Sequence, residues 1–138
     1  MGRFEVVARR DDGTPRVIAN APFLDDGTPM PTRYWLVDPV WCYEVSRIEA
    51  GGGVREAELA VDSAELAAAH SRYEAERDSL ISPDHAGARP TGGVGGTREG
   101  VKCLHAHLAN WIVTGDDPVG RWVAERIGTL PVDAREDD

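Results

Sequence analysis

Residues 9–39 read RRDDGTPRVIANAPFLDDGTPMPTRYWLVDP, and the pentapeptide DDGTP stands in them twice, at 11–15 and 25–29. Asp-Gly supplies the positive φ of a tight hairpin turn, and the β-branched and aromatic residues around each copy suit strands. With FEVVARR (4–10) ahead of it, this stretch predicts a small antiparallel sheet in the N-terminal third. Two copies of five turn-forming residues are repeated hairpin chemistry rather than a duplicated domain.

The stretch closes on Asp38-Pro39, an N-cap with proline at the first helical position. A first helix runs from there to the glycines at 51–53, with Trp41, Glu44 or Val45, and Ile48 on its stripe and Cys42 on the flank. The segment GVREAELAV (53–61) is left open. Asp62 and Glu65 have capping-box spacing and open a second helix to about Leu80, whose one face carries Leu66, Ala69, His70, Tyr73, Arg77 and Leu80. Residues 81–96, ISPDHAGARPTGGVGG, form a long loop of the kind that often binds something. Thr97 reads as the N-cap of a third helix to about Thr114. Asp117-Pro118 starts a fourth, which carries Val119, Trp122, Val123 and Ile127 and stops at Gly128. The fold class is therefore α+β: an N-terminal antiparallel sheet followed by about four packed helices, one domain over residues 1–130, with an acidic, frayed tail at 131–138.

A chain of 138 residues with 41% hydrophobic and 28% charged residues has the size and composition of a single globular core. Its formal charge of -9 and pI near 4.8 argue against nucleic acid or an anionic membrane surface as partners. No apolar run is long enough to span a bilayer, and the N-terminus lacks the apolar core of a signal peptide, so a cytoplasmic location is expected. In that compartment Cys42 and Cys103 have no reason to form a disulfide. Of 15 basic residues all but Lys102 are arginine. Lys102 precedes Cys103, and a neighbouring ammonium favours a thiolate.

The chemistry-bearing residues concentrate in TGGVGGTREGVKCLHAH, residues 91–107. Glycines before a helix start leave amide N–H groups unpaired at the positive end of the helix dipole, so Gly92, Gly93, Gly95, Gly96 and Thr97 form a candidate anion site, with Arg98 and Lys102 adding charge. Neither a Walker nor a dinucleotide-binding pattern is spelled out. On a regular helix from Thr97, Val101, Leu104, Leu108, Trp111 and Ile112 share the buried side, with His105 at its edge. Cys103 and His107 then lie together on the opposite flank with Asn110. At 100° per residue Cys103 and His105 stand about 160° apart, so Cys-x-His-x-His cannot offer three ligands to one metal unless the helix begins later.

Two ligands, Cys103 and His107, remain for a divalent metal such as zinc, with Cys42, Asp38, His70, His85 or a carboxylate needed to complete the set. As a nucleophile Cys103 would need His107 or His70 as its base and loop amides as oxyanion donors. His70, Tyr73 and Arg77 lie on a buried face, where polar tips either satisfy one another or line a pocket.

Four segments carry a resemblance: DDGTPMPTRYWLVDP (25–39), AHSRYEAER (69–77), GVKCLHAHLA (100–109) and DDPVG (116–120). In this order, and over nearly the whole chain, it resembles the bacterial domain of unknown function 501 family, found mainly in high-GC Gram-positives. Lys102 to His105 is the most specific piece. The resemblance locates the motifs and implies no activity. Members often carry cysteine in the first hairpin, where this chain has RRDDG, and Cys or His where it has Asp38. A relative's histidine also stands where this chain has Asn110.

Three readings follow. The first is a cytoplasmic protein that binds, and can act on, a small anionic molecule at the glycine loop, with Cys103, His105, His70, Tyr73 and Arg77 carrying the chemistry. The second is a metal-binding protein using Cys103 and His107. The third is a non-catalytic interaction module whose exposed aromatics, among Trp35, Trp41 and Trp122, meet a partner.

Overall fold

The computed structural model describes residues 4–128. The tail expected at 131–138 lies outside them. Three strands, β1 (Phe4–Arg9), β2 (Pro15–Asn20) and β3 (Tyr34–Leu36), form one antiparallel sheet in the order β1-β2-β3. Five helices follow: α1 (Pro39–Ala50), α2 (Gly53–Ala60), α3 (Ser63–Asp78), α4 (Leu104–Thr114) and α5 (Pro118–Ile127), with a short 3-10 turn at Val94–Gly96. The α+β class expected from the sequence is the one observed. The undecided segment 53–61 supplies the additional helix, α2.

Both DDGTP copies make the same turn. Thr14 N–H donates to Asp12 Oδ1 and Thr28 N–H to Asp26 Oδ1, each at 2.9 Å, with Gly13 and Gly27 at φ 88° and 89°. Only the first copy joins two full strands. The second is flanked by a single bridge, Phe23 to Pro29, because three prolines between 22 and 31 remove donors that a longer ladder needs. As the central strand, β2 is covered on both faces. Val17 and Ala19 enter the main core, and Arg16 and Asn20 are buried as well.

Helix starts follow the side-chain caps. Asp38 Oδ1 accepts from Val40 N–H, and Asp62 Oδ2 accepts from Glu65 N–H, each at 3.0 Å. Asp117 Oδ1 accepts from both Val119 and Gly120 N–H, each at 3.0 Å. On α3 the buried face is Leu66, Ala69, His70, Tyr73 and Arg77, as the spacing predicts, but the helix ends at Asp78 and Leu80 is half exposed. Trp41 and Trp122, expected among exposed aromatics, are buried, with the guanidinium groups of Arg16 and Arg126 3.9 and 3.6 Å from their ring centres. Trp35 is the exposed one, at 39%.

The larger departure is α4. It begins at Leu104 rather than after Thr97, and residues 97–103 are irregular. Gly100 takes a left-handed φ of 65°. The Val101 N–H donates to Glu58 Oε1 at 2.8 Å, and the Leu104 N–H donates to Glu49 Oε2 at 2.9 Å. Thr97 Oγ1 bonds within its own turn, to the Glu99 carbonyl and N–H, instead of capping a helix. The remaining helix packs between the sheet and α5. Leu104, Ala106, His107, Leu108, Ala109 and Asn110 are therefore all buried, while Trp111 and Ile112 of the expected stripe are only half-buried.

Helices α4 and α5 touch at Gly120, where an added Cβ would overlap the His107 carbonyl oxygen and Trp111 Cβ. Glycine to alanine inside a helix ordinarily gains up to about 1 kcal/mol. Here Gly120→Ala is expected to lose roughly 2 kcal/mol or more, because backbone cannot give way. Thermal unfolding checks the sign: an unchanged or raised midpoint contradicts the packing described. Among the described residues no helix is long and apolar enough to cross a membrane.

Candidate functional site

Because α4 starts at Leu104, Cys103 is its N-cap residue, with extended φ and ψ of -145° and 117° and no capping bond from its side chain. That backbone turns the thiol toward the first helical turn, where Sγ lies 3.9 Å from His105 Nδ1. His105 Nδ1 also stands 3.2 Å from Glu49 Oε2, and the three ligand atoms all lie within 4.8 Å of one another. The other ring nitrogen, Nε2, is 3.2 Å from the Cys42 carbonyl oxygen and 3.2 Å from Ser46 Oγ. Cys42, Ser46 and Glu49 are spaced i, i+4 and i+7 on α1, so one face of that helix receives the start of α4.

The two cysteines differ in environment. Burial works against a Cys103 thiolate, yet the His105 contact and the Ala106 N–H outweigh it and hold the thiol below its ordinary value. The same contact, against burial and with help from Glu49, pushes His105 up to about 9. Cys42 goes the other way: burial, then the charge of Asp38, raises its thiol, which donates to the Leu36 carbonyl at 3.2 Å. The side chain that favours the Cys103 thiolate is thus His105 rather than Lys102, which is exposed, and the charge of Glu49 opposes it. Neither cysteine forms a disulfide.

Cys103 and His105 line a cavity of about 410 Å³ whose other walls are Thr32, Tyr34, Trp35, Leu36, Gly95 and Ala106. Its polar wall groups are few, because the Tyr34 hydroxyl is already engaged with Glu76 Oε2 at 2.8 Å. The cavity sits where β3, the glycine turn and the start of α4 meet. A second hollow of about 470 Å³ runs between α3 and α5 and contains neither cysteine.

The remaining predicted residues are elsewhere. His107 does not share a flank with Cys103. It is fully buried, and its Nδ1 donates to Asp117 at 2.9 and 3.0 Å. The structure therefore does not bring Cys103 and His107 together: the later helix start removes the 160° separation expected between Cys103 and His105 and sets those two side by side instead. Asp38, another proposed ligand, is buried, capping α1 and accepting from Arg16 Nε at 3.0 Å. His85 stacks on Phe23, with ring centroids 4.3 Å apart.

His70, Tyr73 and Arg77, expected to carry chemistry, are engaged with backbone groups of residues 31–34 and 90–100. His70 Nδ1 accepts from Val94 N–H at 3.0 Å, and its Nε2 is 2.9 Å from the Gly100 carbonyl. Tyr73 Oη accepts from the Arg33 and Tyr34 N–H groups at 2.6 and 3.0 Å. Arg77 bonds the carbonyls of Pro31, Gly92 and Pro90. All three are buried.

The glycine loop has no helix start behind it. Gly93 N–H donates to Thr97 O, Val94 N–H to His70 and Gly96 N–H to Gly93 O, so these amides already have acceptors. Arg98 is mostly exposed and 3.7 Å from Glu74.

Glu49 and Ser46 were missed from the sequence. Their signal was the polar series Cys42, Ser46, Glu49 beside the apolar stripe of α1, legible only once that face has a partner.

A family model described as "Protein of unknown function (DUF501)" matches residues 6–125. No curated protein and no solved structure shows a significant match to the chain.

Proposed function

Since the chain belongs to the DUF501 family, whose description assigns no function, its activity has to come from the site, and we propose that it binds a small molecule with an apolar body beside Cys103 and acts on it through that thiol. The observation that carries this reading is the convergence of Cys103, His105 and Glu49, their ligand atoms within 4.8 Å of one another, with Cys103 and His105 lining the 410 Å³ cavity. A cysteine at a helix N-terminus, partnered by a histidine that a third group orients, is the arrangement a thiol nucleophile requires.

In the proposed reaction the sulfur forms a bond to an electrophilic carbon of the bound molecule and the bond from that carbon to its leaving group breaks. His105 hands the leaving group the proton that it took from the thiol. Water then releases the bound group and returns a proton to the site. Lys102, exposed beside Cys103, provides a positive charge for an anionic end of the molecule. The reading places the protein in a reducing, cytoplasmic compartment of a bacterial cell, where both cysteines stay thiols.

Alkylation with iodoacetamide at neutral pH, followed by peptide mass spectrometry, tests it. Cys103 is expected to react about tenfold or more faster than Cys42. His105→Ala should slow Cys103 by a similar factor and leave Cys42 unchanged. Equal rates for the two thiols, or a Cys103 rate indifferent to His105, would sink the proposal.

A further inference from the structure

We infer that Glu49, Cys103 and His105 also form a three-ligand site for a divalent cation of the zinc class, and that its occupancy withholds the Cys103 sulfur from other partners. The inference uses the residues of the thiol reading but stands on their spacing and donor types.

Bond lengths to zinc are about 2.3 Å for sulfur and about 2.0–2.2 Å for nitrogen or oxygen, so two ligands of a tetrahedron stand about 3.4–3.6 Å apart. Here Cys103 Sγ and His105 Nδ1 are 3.9 Å apart, and His105 Nδ1 and Glu49 Oε2 are 3.2 Å apart. With the third edge under 4.8 Å, the set is one face of a tetrahedron to within a few tenths of an ångström on the two measured edges. One thiolate and one carboxylate balance the two charges of the cation.

The surroundings are those of ligands already aimed. His105 Nε2 is 3.2 Å from the Cys42 carbonyl oxygen. An N–H donated there leaves the Nδ1 lone pair for a cation, the way ligating histidines are usually held. The Leu104 N–H donated to Glu49 Oε2 at 2.9 Å orients the carboxylate. Both helices fix these groups, with Glu49 in the last turn of α1 and His105 in the first turn of α4. The cavity lined by Cys103 and His105 leaves room for a fourth ligand from outside the protein, as sites with three protein ligands have.

The test uses the full chain freed of metal with a chelator, and Co²⁺ and Zn²⁺ alone as probes. Co²⁺ is expected to give a thiolate-to-metal charge-transfer band that Cys103→Ser abolishes and Cys42→Ser leaves unchanged. Zn²⁺, titrated against a chromophoric chelator, should bind at one per chain. Glu49→Gln, which keeps an acceptor for the Leu104 N–H, should weaken it about tenfold or more. Circular dichroism of each variant separates lost ligation from lost folding. Zn²⁺ should also protect Cys103 from iodoacetamide, with the chelator restoring its reactivity.

No thiolate band in the wild type, or a band that survives Cys103→Ser, overturns the inference. So does Zn²⁺ affinity untouched by Glu49→Gln. A metal-free protein with a selectively reactive Cys103 and no cation binding defeats this inference alone. One-to-one binding that depends on Cys103, in a protein whose free thiol reacts no faster than Cys42, upholds it and defeats only the thiol reading.

Discussion

Replacing Asp117 with alanine is expected to cost about 3–5 kcal/mol of stability, a large share of what a domain of this size has. The carboxylate is buried, and it serves three structures at once. It caps α5 through the N–H groups of Val119 and Gly120, receives His107 Nδ1 at 2.9 Å and receives Asn110 Nδ2 at 3.0 Å. Losing the cap alone costs about 0.5–2 kcal/mol. Leaving His107 and Asn110 without an acceptor in a dry interior adds about 1–3 kcal/mol for each group. His107 has no relief on its other side, since Nε2 is buried without a hydrogen-bond partner. Urea denaturation of wild type and Asp117→Ala measures the difference, and a loss below about 1 kcal/mol would contradict this account.

Acid should act on the same region in two steps. His70 must be neutral at Nδ1 to accept the Val94 N–H. Burial, with His107 adding, keeps its pKa below the ordinary value, against the opposing pull of the Gly100 carbonyl and Asp117. Its unfolded form takes up a proton near pH 6.5 and its folded form only lower, so unfolding binds protons and stability declines as pH falls below about 6.5.

Asp117 is the second step. Burial raises its pKa, but His107, Asn110 and the Gly120 N–H overcome this and hold it below the usual carboxylate value. Its contribution is complete above the unfolded value of about 3.9 and is lost as pH falls through the lower folded one. Denaturant midpoints between pH 3 and 8 should show both declines, and Asp117→Asn should remove the lower.

Arg77→Ala is expected to be about as damaging, again about 3–5 kcal/mol, from three carbonyls left without a donor and the space the side chain vacates. The side chain is fully buried and all five of its N–H groups are used. Nε and Nη2 fork onto Asp78 Oδ1 at 3.0 and 2.9 Å, Nη1 donates to Pro31 O and Gly92 O at 3.1 and 2.7 Å, and Nη2 also reaches Pro90 O at 3.3 Å. One guanidinium therefore ties three carbonyls of irregular chain to the end of α3. Lysine keeps the charge but not the fork, so Arg77→Lys should recover only a minor part of the loss. The loop it anchors places Gly95 at the wall of the Cys103 cavity. Thermal unfolding reads the stability, and the alkylation rate of Cys103 in Arg77→Lys reads the effect on the site. A variant as stable as wild type would show that the loop is held by something else.

His70, Tyr73 and Arg77 show what periodicity can and cannot say. Their spacing put them on one buried face of α3, which is where they lie. Polar tips on such a face must find partners, but spacing does not reveal whether a ligand or the protein's own backbone provides them. Here the partners are mostly backbone groups, of the loop and of the approach to β3, with the Asp78 carboxylate added for Arg77.

The Asp-Gly turns, the acidic N-caps and the apolar stripes of α1, α3 and α5 were all legible in the chain by itself, because each depends on residues within a few positions of one another. The beginning of α4 was not. The N–H groups of Val101, ahead of it, and of Leu104, its first residue, are claimed by Glu58 and Glu49, 43 and 55 residues earlier. Only the packing of α1 and α2 against that segment brings those carboxylates within reach. That contact shortens the helix by a turn and a half, turns His107 inward to Asp117 and leaves Cys103 beside His105. Local spacing located the chemistry-bearing residues, and long-range hydrogen bonds selected which of them meet.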